Sequence, residues 1–329
     1  MNTRVGLLAV VLGVQMLLVV AVLAMVDGDR APSGTIVGFD PASVTSMVLT
    51  GGEDADNKST VSLTRKEAGW ELDDTLPADG DKIREVLDKL AGFKSPWPVA
   101  TSSEGARRFE VNESNFQRRV VIGSQQGVVA DLFFGTSPGY RRVHARSATD
   151  SNIYSVDFSN YELPLSVDEW LLKTLLQADG AITAIKRDDV WTLERSDAGW
   201  LVNSEAAGQE QADRLVERFT NLRVTGISEN TGELKAVFTV TDAQGALELS
   251  VYHDAEADSY NLSSDRRAGR YAVPTYIAEQ MIIDVDDLKA AKPQEGAPLP
   301  QIGQDSPVPI VEIPGASIPR ETQPDASTR

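Results

Sequence analysis

Val61-Ser62-Leu63-Thr64-Arg65-Lys66-Glu67-Ala68-Gly69-Trp70-Glu71-Leu72 and Trp191-Thr192-Leu193-Glu194-Arg195-Ser196-Asp197-Ala198-Gly199-Trp200-Leu201-Val202 are one pattern written twice. Leu63, Arg65, Ala68, Gly69 and Trp70 recur as Leu193, Arg195, Ala198, Gly199 and Trp200, at an offset of 130 residues. Self-similarity at a fixed offset marks a structural unit used more than once. Each copy reads as a hairpin, because two stretches of strand-forming residues flank a short polar turn whose glycine tolerates the positive φ of tight turns.

Outward from the hairpins the likeness continues. Asp81, Ile83, Leu87 and Leu90 match Asp213, Leu215, Phe219 and Leu222 at an offset of 132. Ile83, Val86, Leu87 and Leu90 are spaced i, i+3, i+4, i+7, one apolar face of a helix, so helices are expected over about 80–92 and 209–222. Val44-Thr45 recurs as Ile182-Thr183, Gly127 as Gly245 and Tyr154 as Tyr271. Strands are expected at Ser46–Leu49, Arg118–Ile122, Val128–Phe134, Arg141–Ala145 and Ile153–Val156 in the first half. In the second they are expected at Ala184–Lys186, Ala236–Thr241, Ala246–Tyr252 and Tyr271–Val273. Hairpin-linked strands build antiparallel sheets with a helix on one face, which makes the fold class α+β. Ser166-Val167-Asp168-Glu169 has capping-box spacing and predicts a short helix joining the halves, with Trp170, Leu171, Leu175 and Leu176 as its apolar contacts.

Val5–Val26 is a run of 22 residues without a charge. As a helix it would be about 33 Å long, against a hydrocarbon core of about 30 Å. Arg4 precedes it and Asp27, Asp29 and Arg30 follow, so the positive flank is expected in the cytoplasm and the remainder outside. A cleaved signal peptide, with Val22-Leu23-Ala24 as the small-residue site, is the alternative, but the run exceeds a usual signal core. The expected organisation is a cytoplasmic N-terminus over 1–4, a transmembrane anchor over 5–26, a linker over 27–38, a first α+β repeat over 39–177, a second over 178–290, and a disordered tail over 291–329. The tail holds 8 of the 16 prolines and no aromatic residue, a composition that favours an unpacked chain.

The chain carries a net charge of −18 and has a pI of about 4.6. That balance argues against nucleic-acid binding, which needs a cationic face. With no cysteine, disulfides, thiolate metal sites and thiol catalysis are excluded. Only His144 and His253 are present, too few for a histidine-rich metal site. His253 with Asp254, Glu256 and Asp258 reads as a solvated turn, and His144 as a strand-surface imidazole. Neither a nucleophile elbow nor a phosphate-binding glycine loop occurs. The pairs Arg107-Arg108, Arg118-Arg119, Arg141-Arg142 and Arg266-Arg267 read as partners of the protein's own carboxylates. Trp70 and Trp200 read as core. No catalytic, cofactor-binding or metal-ligating residue is assigned and no cofactor is expected. The one candidate contact residue is Trp97, held between Pro96 and Pro98.

Several features together resemble the domain-of-unknown-function family numbered 4340. They are Phe39-Asp40-Pro41 with Val44-Thr45, the hairpin Gly69-Trp70-Glu71-Leu72, and Pro77 and Asp79 ahead of a helix ending at Leu87 and Leu90. The clearest is Asp168-Glu169-Trp170-Leu171-Leu172-Lys173-Thr174-Leu175-Leu176. The resemblance covers about residues 36–290 and carries no catalytic residues. It implies a single-pass protein of the bacterial inner membrane, N-terminus in, working as a non-enzymatic periplasmic accessory of an ABC transporter permease. A module binding envelope glycan and an unrecognised hydrolase are the competing readings.

Overall fold

The computed structural model describes residues 13–19, 34–52, 60–94, 97–229 and 232–289. Residues 13–19 are helical and exposed, and the rest of the Val5–Val26 run lies outside the described residues, as does the tail from 290 onward. Among the described residues no helix is long and apolar enough to cross a membrane.

The chain is a mixed α+β protein of mostly antiparallel sheets. The first half contains β1 (Val44–Gly51), β2 (Thr60–Lys66), β3 (Gly69–Leu72), β4 (Leu76–Pro77), β5 (Val111–Asn112), β6 (Asn115–Phe116), β7 (Arg118–Ser124), β8 (Gly127–Phe134), β9 (Arg142–Ser147) and β10 (Ile153–Asp157), with helices α1 (Gly80–Ala91) and α2 (Ser103–Arg108). The second contains β11 (Ala184–Arg187), β12 (Trp191–Ser196), β13 (Gly199–Val202), β14 (Glu205–Ala206), β15 (Gly226–Ile227), β16 (Glu233–Asp242), β17 (Gly245–Asp254), β18 (Ser259–Ser264) and β19 (Arg270–Val273), with α3 (Gln209–Thr220), α4 (Thr275–Met281) and α5 (Val285–Leu288).

The sheets are laid out alike. One runs β4-β3-β2-β1-β7-β8-β9-β10 and the other β14-β13-β12-β11-β16-β17-β18-β19, with β15 added at its end. Register confirms the hairpin offset: Leu63 lies between Met47 and Leu72, as Leu193 lies between Ile185 and Val202. Gly69 and Gly199 take φ of 134° and 121°, and Gly127 and Gly245 take 114° and 105°. The hairpin turns thus need glycine where the sequence repeats it. β18 is absent from the sequence expectation because Ser259, Asn261, Ser263 and Ser264 break the apolar pattern.

The helices correct the sequence alignment. Ala78 N–H donates to Trp70 O at 2.8 Å just before α1, and Ala207 N–H to Trp200 O at 3.0 Å just before α3. Both helices have 12 residues. They therefore match at an offset of 129, not 132: Ile83, Val86 and Leu90 correspond to Ala212, Leu215 and Phe219, and Arg84 to Asp213. A slip of three residues is close to one helical turn, so periodicity alone does not distinguish the two registers. α1 is capped by Asp79, whose Oδ1 accepts Asp81 N–H and Lys82 N–H at 3.1 Å, satisfying donors that the first turn leaves open.

The expected joining helix is instead a 3-10 turn over Val167–Glu169, and Ser166 makes no side-chain cap. Tertiary partners take the backbone groups an α-helix would use. Asp79 N–H donates to Trp170 O at 2.8 Å and Leu172 N–H to Pro77 O at 2.9 Å. The same closing segment recurs, unread in the sequence, at the end of the second half: Gly208 N–H donates to Leu288 O at 2.8 Å, and Ala207 bridges Lys289 as Ala78 bridges Leu171. Adjacent residues of the joint serve different interiors. Trp170 belongs to the core of the first sheet and Leu171 to that of the second.

A third, smaller core of Ala106, Val111, Phe133 and Ile153 forms where α2 and the β5-β6 ribbon cover the outer face of the first sheet. Gly135 permits this approach, since a Cβ there would lie 1.9 Å from Phe109 O.

Candidate functional site

Trp97 is 56% exposed and Val99 49%. The segment they occupy runs along the outer edge of β10, where Val99 N–H donates to Ile153 O at 2.7 Å and Ile153 N–H to Ala100 O at 2.9 Å. Trp97 is thus an exposed aromatic at one end of the first sheet, and among the described residues no other candidate is brought to it.

His144 is buried at 6% exposure, which corrects its reading as a surface residue. Its ring lies 4.1 Å from that of Phe109 and its Nδ1 2.9 Å from Thr136 Oγ1. The cover that α2, Phe109 and the β5-β6 ribbon lay over the outer face is the reason. Burial pushes the imidazole below its usual pKa, and Arg108 adds repulsion. His253 stands at the end of β17, 3.3 Å from Asp258 Oδ1, with its ring 4.4 Å from Tyr260. Among the described residues no group of three or more acidic or histidine side chains is placed to hold a metal.

Three of the arginine pairs place at least one member on the protein's own carboxylates. Arg119 grips Asp131 at 2.9 and 2.7 Å, Arg266 grips Asp242 at 2.7 and 2.9 Å, and Arg107 pairs with Glu104. The two-pronged contacts of Arg119 and Arg266 are the strong form of the interaction, whereas Arg107 meets Glu104 through one nitrogen at the surface. In the remaining pair Arg142 bonds Ser155 Oγ at 2.9 Å, not a carboxylate.

The two hairpin tryptophans separate. Trp200 is 2% exposed. Gln209 accepts from Trp200 N–H at 2.8 Å and donates to Trp200 O at 3.1 Å. Asp213 Oδ1 accepts from its indole Nε1–H at 2.9 Å, and the Arg195 guanidinium lies 5.0 Å from the ring. Trp70 packs against the first core as read, but is only half-buried there. Its neighbour Arg65 turns away, donating to Ala42 O at 3.0 Å. The positions of Gln209 and Asp213 are held by Gly80 and Arg84, and Arg84 pairs with Asp81 at 2.8 Å. Among the described residues the Trp70 indole N–H has no partner.

An open cleft of about 630 Å³ lies over Trp70, lined also by Asp40, Arg65, Gly80, Arg84 and Asp88. Beyond the Pro41–Ser43 turn a second cleft of about 830 Å³ shares Asp40, Ala42 and Arg65 with it. Trp70 lies on β3 and Trp97 beside β10, toward opposite ends of the eight-stranded sheet. The Trp70 cleft is thus a site distinct from Trp97, and the helix register of the folded chain shows why the second hairpin differs there.

A family model described as Domain of unknown function (DUF4340) matches residues 70–243, just over half of the chain. The match opens on Trp70, runs through the joint and ends at Ala243, just past β16. No curated protein and no solved structure matches.

Proposed function

The chain belongs to the DUF4340 family, and from that premise we propose that it is a non-enzymatic, membrane-anchored accessory protein. In this reading its folded body works outside the cytoplasm beside an ABC transporter permease in a bacterial inner membrane. The uncharged run Val5–Val26 carries the proposal. It is long enough to span a bilayer and has its positive flank on the N-terminal side. A body without cysteine suits export, because it folds without oxidation.

The folded region supports a scaffold. The Asp168-to-Lys173 motif sends Trp170 into one core and Leu171 into the other. Asp168 Oδ1 accepts Ile227 N–H at 2.8 Å, and Lys173 Nζ donates to Asp168 O at 2.6 Å and to Thr225 O. These bonds tie the first unit to β15 of the second and favour a fixed surface over two loosely tethered modules. Anchoring confines the search for a membrane partner to two dimensions.

The test is purification of the full chain from mild detergents after cross-linking in cells. Recovery of a permease in stoichiometric amount is expected. Recovery of the chain alone from several detergents would overturn the reading.

A further inference from the structure

We propose that the cleft over Trp70 is a binding site for a neutral saccharide. The inference goes beyond the accessory role and stands whether or not a membrane partner exists.

The second unit serves as an internal control. Its tryptophan is held by three side chains, each of which has lost that role in the first unit. Gln209 closes the backbone edge of Trp200, and its counterpart is Gly80, which has no side chain to do so. Asp213 accepts the Trp200 indole N–H, whereas its counterpart Arg84 is itself a donor and pairs with Asp81. Arg195 covers the Trp200 ring, whereas Arg65 is drawn off by the carbonyl of Ala42. The result is a half-buried indole, its N–H without a partner among the described residues, that lines an open cleft of about 630 Å³, within the range of small-ligand sites.

The lining selects the ligand class. An aromatic floor stacks on a flat apolar face. The rim carries four aspartates and two arginines; Asp79 caps α1, Arg84 pairs with Asp81 and Arg65 holds Ala42 O, so hydroxyl groups meet the lone pairs and N–H groups that these contacts leave open, with charge assistance. An apolar ligand would strip water from these groups without replacing it. An anionic ligand would meet an excess of carboxylates. A pyranose ring combines an apolar C–H face with a circumference of neutral hydroxyls.

The test titrates the full chain in detergent with chitotriose, cellotriose and maltotriose, with glucuronic acid and spermidine as charged comparators, read by calorimetry and by tryptophan fluorescence. Binding of at least one neutral trisaccharide is expected, with a dissociation constant on the order of 0.1–1 mM. Trp70→Ala should weaken it at least about tenfold. Because Trp70 contributes to the core boundary, Gly80→Gln is the decisive variant. A Cβ at Gly80 would sit 3.4 Å from Trp70 Cδ1, an ordinary contact, so the fold is kept while the new amide lies over the backbone edge of Trp70, as Gln209 does over that of Trp200, and takes up space in the cleft. Gly80→Gln should abolish binding with the melting temperature unchanged, and Trp97→Ala should leave it intact. The proposal is overturned if no neutral sugar binds, if only a charged comparator binds, or if Gly80→Gln binds as the parent does.

Discussion

Asp242 offers a quantitative test of how the second unit is held. Its side chain is fully buried between β16 and β17. It grips Arg266 at 2.7 and 2.9 Å and accepts the backbone N–H groups of Asp179 and Gln244, both at 2.8 Å. The Arg266 guanidinium, helped by those amides, lowers its pKa from 3.8 to about 2. A shift of that size is worth about 2 kcal/mol to the folded state at neutral pH. The folded pKa is depressed, so the contribution is complete above the ordinary carboxylate range and is lost as pH falls through about 2. Asp242→Asn keeps one acceptor but leaves the arginine without a countercharge, so it should cost about 3 kcal/mol at pH 7. By pH 2 the gap to the parent should shrink to about 1 kcal/mol, because the parent carboxylate is then half protonated. Urea denaturation followed by tryptophan fluorescence at pH 7, 4 and 2 measures it. A gap that stays constant over that range would refute the electrostatic reasoning and leave only packing.

Two further outcomes follow from the joint and from the cover over His144. Gly226→Ala places a Cβ 2.5 Å from the Asp168 carboxylate, so it should cost about 1–3 kcal/mol and cost less when Asp168 is already alanine; additivity of the two changes in thermal melts would contradict the contact. The His144 ring, buried under Phe109, should titrate below the usual 6.5 in an NMR series. Stability should then fall as pH drops below the unfolded value near 6.5, and His144→Gln should flatten that slope; a midpoint above 6.5 would refute the burial argument.

The hairpins were legible because turn chemistry constrains residue type: only glycine suits the φ of Gly69 and Gly199, and the tryptophan follows it in both copies. The helix register was not legible, since an apolar face repeats after three or four residues, and the wrong register pairs Asp81 instead of Arg84 with Asp213. That one slip conceals why Trp70 and Trp200 differ. The closing segment at Val285–Leu288 escaped because Leu288 stands where the first unit has Trp170, and size is conserved less strictly than the hydrogen bonds to Asp79 and Gly208. The helical reading of Ser166–Glu169 failed for a related reason, as backbone groups offered to β4 and α1 win over local capping. The burial of His144 depends on a covering segment whose own pattern is mixed and short.

Thiol labelling reports on which side of the membrane the folded body lies. The chain has no cysteine, so Tyr161→Cys, at a side chain 95% exposed, introduces a single thiol. A membrane-impermeant maleimide applied to cells with an intact inner membrane should label it fully while leaving a cytoplasmic control untouched. Labelling that appears only after that membrane is opened would contradict the account.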